Sequence, residues 1–109
     1  MYDPKTVESL SGEVVSVQKV HGAQGGRGYG VHLMLKGDKE DIAVHLGPSW
    51  YLDKHGLRIA PGDRIEVRGS RITFQGKPAI IAAEVKKGDQ SLKLRDDNGL
   101  PAWRGQGRP

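Results

Sequence analysis

The chain has 109 residues, no cysteine, 16 glycines, 36% hydrophobic residues and a formal charge of +4. That length holds one domain with at most a short tail and a modest core, and the lack of cysteine excludes disulfides, thiolate metal sites and cysteine nucleophiles. No apolar run approaches the roughly 20 residues of a membrane helix, so no membrane span is expected. The basic balance invites a nucleic-acid reading, but residues 93–109 hold half of the excess, and the remainder has 13 basic against 11 acidic groups. Where charges fall on strands they interleave, as in Arg64-Ile65-Glu66-Val67-Arg68, the pattern of a solvated face more than of a phosphate track.

Residues 1–10 read as a polar lead-in. Gly12 to Val20 is rich in β-branched residues and reads as a first strand. Its apolar positions do not alternate cleanly, so this strand is expected to curve and change the face it buries. Residues 21–30 hold five glycines. They match neither a dinucleotide fingerprint nor a Walker loop. They form either a mobile connection or a loop that folds over a ligand, with Arg27 and Tyr29 as contacts.

The clearest local signal comes next. Val31 to Lys36 and Asp41 to Leu46 flank Gly37-Asp38-Lys39-Glu40 and read as a β-hairpin. A turn centred on Asp38-Lys39 sets Leu33 opposite Val44 and Leu35 opposite Ile42 on the buried face. Lys36 then meets Asp41. His32 falls directly opposite His45 on the outer face, with Met34 beside them.

Gly47-Pro48-Ser49 ends this strand. Ser49 is expected to cap a short helix from Trp50 to His55, with Gly56 as its stop, leaving at least one of Trp50, Tyr51 and Leu52 partly exposed. Ala60 to Asp63 is a turn, and Ile65 and Val67 face inward from a fourth strand that Gly69-Ser70 interrupts. Arg71 to Phe74 continues it, Gln75 to Pro78 turns the chain, and Ala79 to Val85 is a last long strand. Leu92 to Arg95 reads as a short extra strand. From Asp96 on, the composition is that of a tail with Trp103 as its apolar anchor, either docked on the domain or free to grip a partner.

Five strands with one helix between the third and fourth is the order of an all-β, five-stranded OB-fold Greek-key barrel. The domain is expected over residues 11–95, with Gly12, Gly30, Gly62 and Gly69 serving its bends. A β-sandwich accommodates the single internal helix less well.

Ser11-Gly12-Glu13-Val14-Val15, His45-Leu46-Gly47-Pro48-Ser49-Trp50-Tyr51-Leu52, Pro61-Gly62-Asp63, Val67-Arg68-Gly69-Ser70 and Gly99-Leu100-Pro101-Ala102-Trp103 together resemble a group of small bacterial OB-fold proteins. That group is exported and related in shape to the bacterial stress-tolerance OB-fold proteins. The resemblance implies the fold and an exported, periplasmic location, with a leader absent from this sequence; a cytoplasmic location is the alternative. It implies no reaction.

OB-folds commonly bind across strands 2 and 3, between the loops joining strands 1–2 and 4–5. The candidate ligand contacts there are Arg27, Tyr29, His32, Met34, Lys36, His45, Arg71, Phe74 and Lys77. Aromatic platforms and cations are what single-stranded nucleic acid needs, and Tyr29, Phe74, Arg27, Lys36, Arg71 and Lys77 are the available ones. The expected function is a non-catalytic binding module whose ligand is a single-stranded nucleic acid, another extended anion or a protein partner. The alternative is a metal-binding protein. Directly opposed residues on paired strands have Cβ atoms roughly 4.5–5.5 Å apart, which suits His32 and His45 as ligands of one ion. Met34, diagonal to His45, would favour copper over zinc. The plainer reading of the pair is two polar residues on a solvated sheet. No cofactor motif is present, and no serine sits in a nucleophile-elbow setting.

Overall fold

The computed structural model describes residues 4–21, 29–37, 40–96 and 98–102. Arg27, Trp103 and the Asp38-Lys39 turn lie outside them, as do the side chains of Tyr29 and His21. A 3-10 turn at Pro4–Thr6 leads into β1 (Val7–His21), β2 (Tyr29–Lys36), β3 (Asp41–Pro48), α1 (Ser49–Lys54), β4 (Arg64–Phe74), β5 (Lys77–Lys87) and β6 (Gln90–Lys93). The sheet runs β3-β2-β1-β4-β5-β6, and a parallel pairing of β3 with β5 closes five strands into a barrel. This is the expected OB-fold, with its helix between the third and fourth strands.

The lead-in is shorter than expected. Val7 to Leu10 already pair with β4, and β1 passes from β4 to β2 at Glu13, which faces both Arg64 and Lys36. Thr6 and Ser70 share a 2.8 Å hydroxyl hydrogen bond that ties the first turn to β4. The broken alternation in β1 is a bulge: Val14 pairs Leu35 and Ser16 pairs Met34, so Val15 is left over and lies 47% exposed.

The hairpin has the expected register, with Leu33 opposite Val44, Leu35 opposite Ile42, Lys36 opposite Asp41 and His32 opposite His45. Leu33, Leu35, Ile42 and Val44 join Val14, Leu46, Ile65, Val67, Ile80, Val85 and Leu94 in one core.

Ser49 does not cap α1. It is the first helical residue, Pro48 holds the cap position, and no side-chain cap bond forms there. Proline pre-sets the extended backbone that leads into the first turn. The stop is as expected: Gly56 has φ +70°, its N–H donates to the Asp53 carbonyl, and the Leu57 N–H donates to the Leu52 carbonyl. That is a Schellman ending, with Leu52 and Leu57 both buried beneath it. Trp50 is the aromatic left partly exposed.

Gly69-Ser70 does not break β4, which runs unbroken for 11 residues. A bulge on β5 absorbs the irregularity: Arg68 pairs Glu84 and Gly69 pairs Ala82, leaving Ala83 over. The two backbones come so close here that a Cβ on Gly69 would collide with the Ile81 carbonyl and Ala82 Cα.

The extra strand is Gln90–Lys93, two residues earlier than expected, and the described residues beyond it are folded rather than tail-like. The Leu94 and Arg95 N–H groups both donate to the carbonyl of the bulged Ala83. Asp96 Oδ1 accepts from the Asn98 and Leu100 N–H groups, and Ala102 N–H returns to the Leu94 carbonyl. No helix among the described residues is long and apolar enough to cross a membrane.

Candidate functional site

Strand alternation decides what the outer face of β2 and β3 presents. With Leu33, Leu35, Ile42 and Val44 inward, His32, Met34, Ala43 and His45 must point outward. All four are half-buried, because neighbouring elements rise beside them. From β1 come Ser16 and Gln18. From the β4–β5 turn come Phe74, Gln75, Lys77 and Pro78. Together they line a cleft of about 220 Å³.

The imidazoles of His32 and His45 stack face to face, with centroids 4.0 Å apart and planes 3° from parallel. The Phe74 ring stands edge-on to His45 at 4.8 Å and 89°, and to His32 at 6.5 Å. This is the T-shaped arrangement that aromatic quadrupoles favour. Phe74 is held there by the tight turn after it, where Gln75 (φ +53°) and Gly76 (φ +77°) both take left-handed backbone, as in a type I′ hairpin.

His45 Nε2 is buried and has no hydrogen-bond partner among the described residues. Burial pushes the His45 pKa down to about 4, with smaller contributions from the His32 and Arg95 charges. Burial also lowers the pKa of His32. Both rings are therefore neutral near pH 7. Arg95, at the end of the expected extra strand, is not among the expected contacts. It is 5% exposed and sends its Nη1 across to the carbonyls of Leu46 and Ala82. Leu46 is the residue left over where Val31 pairs Gly47 and His32 pairs His45. The guanidinium thus fills the split where β3 parts from β5.

The expected contacts divide. His32, Met34, His45, Phe74 and Lys77 meet at the cleft; Ser16, Gln18, Gln75 and Pro78 are additions. Lys36 and Arg71 do not line it. Lys36 lies at the hairpin end of β2, and Arg71 is engaged by Glu8 at 2.8 Å and Glu40 at 3.2 Å. Of the other histidines, His55 ends α1 with its ring against Tyr51 at 4.6 Å. Three larger hollows, of about 450, 380 and 360 Å³, have no aromatic or imidazole among their described lining residues.

As a metal centre the pair is not preorganised, because the lone pairs of parallel rings do not converge. Among the described residues, no group of three or more His, Cys, Asp or Glu is placed to hold an ion. As a docking face it is unusual for its low charge in a chain with 28% charged residues. The outward faces of β4 and β5 carry Arg64, Glu66, Arg68, Glu84 and Lys86, with Arg68 and Glu84 3.6 Å apart. The cleft on β2 and β3 has, among the described residues, Lys77 as its one cation.

Barrel order, helix position and this face define an OB-fold domain. The chain belongs to the MamS/MamX magnetosome protein family, whose model matches residues 6–92, from the first turn into β6. No curated protein matches it.

Proposed function

We propose that this chain is a non-catalytic binding module that holds an extended segment of a protein partner across the outer face of β2 and β3. The observation that carries the reading is the aromatic cleft of low charge: two neutral stacked imidazoles, Phe74 edge-on to them, and Met34, Ser16, Gln18 and Gln75 around them. Aromatic and thioether surface edged by neutral hydrogen-bonding groups suits a polypeptide. A polyanion needs a row of cations. Here Arg71 is occupied by two carboxylates, and among the described residues Lys77 is the cleft's lone cation. The family supports work at the magnetosome, and the resemblance to exported OB-fold proteins supports a place outside the cytoplasm.

The test is peptide display against the wild-type chain with a Phe74→Ala/His32→Ala double variant as counter-selection. Enriched peptides should bind the wild type at least about tenfold more tightly, a difference of about 1.4 kcal/mol. They should shift the amide signals of residues 32, 34, 45 and 74–77. Peptides that bind both proteins equally would refute the reading. A labelled single-stranded oligonucleotide is the companion probe. Binding that weakens steeply with salt and maps to the same residues would transfer the face to phosphate recognition.

A further inference from the structure

We propose that the imidazoles of His32 and His45, with the thioether of Met34, form a copper(I) site in this cleft, independently of any protein partner. The three side chains project from one sheet face and line one cavity. Cross-strand pairing sets the two histidines directly opposite each other. Two imidazoles and a thioether form a soft ligand set, and a thioether selects copper(I) over zinc.

The stacked pair is the arrangement before metal enters. Bringing the lone pairs together requires the rings to turn about their Cβ–Cγ bonds, and that torsion is broad for histidine. For His45 the turn breaks no hydrogen bond at Nε2, since that nitrogen has no partner among the described residues. A buried ring nitrogen left unpaired is an unfavourable resting state, and coordination would relieve it. The absence of a third His, Asp or Glu ligand among the described residues disfavours zinc, which takes four nitrogen, oxygen or sulfur ligands. Copper(I) accepts fewer, softer donors.

The experiment is an anaerobic copper(I) titration of the isolated chain against a chromogenic copper(I) chelator, with a parallel NMR titration. One equivalent should leave the chelator. The ring C–H signals of His32 and His45 and the Met34 methyl should move together. His32→Ala and His45→Phe, the latter keeping a ring against Phe74, should each weaken retention at least about tenfold. Met34→Leu should weaken copper(I) retention and remove the copper-over-zinc preference. Amide spectra of the variants report that the barrel is intact. No withdrawal from the chelator, shifts at His21 or His55 instead, or equal retention by a folded His32→Ala/Met34→Leu variant would each overturn the site. Phe74→Ala separates the two readings: it should lose display-selected peptides and keep copper.

Discussion

His45 is polar, half-buried and, among the described residues, unpaired at Nε2, and it stays neutral by giving up its ordinary basicity. Its folded pKa, about 4, lies below the ordinary value of 6.5. Between those values the unfolded chain takes up a proton that the folded chain does not. Stability is therefore full above about pH 6.5, falls as pH drops towards about 4, and is flat in this contribution below that. Partial exposure holds the effect to the order of 1 kcal/mol. Urea unfolding of wild type and His45→Phe across this window measures it, and the variant should lose that slope. Arg95 is the opposite kind of buried group, charged and bonded to two carbonyls. Arg95→Met should destabilise by about 2–4 kcal/mol, because it strips a charge-assisted donor from buried acceptors. Loss of the nearby cation should also raise the His45 pKa, which the pH dependence of its ring signals reads directly.

Single elements show where local rules suffice. The β2–β3 hairpin was legible from the His32–His45 pair to the Lys36–Asp41 pair, because alternation and a four-residue connection leave one register that buries Leu33, Leu35, Ile42 and Val44. The same register decided that His32 would face His45. The end of α1 was legible from Gly56, and its start was misread because proline, not serine, holds the cap position. Bulges were the hardest to see. Leu46 and Ala83 are ordinary strand residues that become surplus only when two strands pair. Gly69 and the turn offer two checks. Gly69→Ala should cost at least about 3 kcal/mol or prevent folding, since the new methyl meets β5 backbone rather than a movable side chain. Gln75→Asn should instead stabilise by a few tenths of a kcal/mol, because asparagine tolerates the left-handed backbone at that position better. Thermal melts of the two variants should move in opposite directions.

At the scale of the whole molecule, the decisive event is closure. Parallel pairing of Ala43, Val44 and His45 with Ala79, Ile80 and Ile81 joins segments more than 30 residues apart. Contacts of that separation must be formed against loop entropy, so folding is expected on the millisecond-to-second scale. Stopped-flow refolding tests this, and microsecond folding would show that the barrel does not close in the rate-limiting step. Val44→Ala, at the closure, should cost about 1–3 kcal/mol. The sequence by itself determined the order of strands and helix, the register of the hairpin from His32–His45 to its turn, and which side chains face out there, since period-two alternation and turn chemistry act between neighbours. Tertiary structure alone decided that Phe74 stands against His45, that Arg95 fills the split between β3 and β5, and that the cleft carries so little charge. Those contacts join residues tens of positions apart, and no local pattern encodes the register between strands that meet only when the barrel shuts.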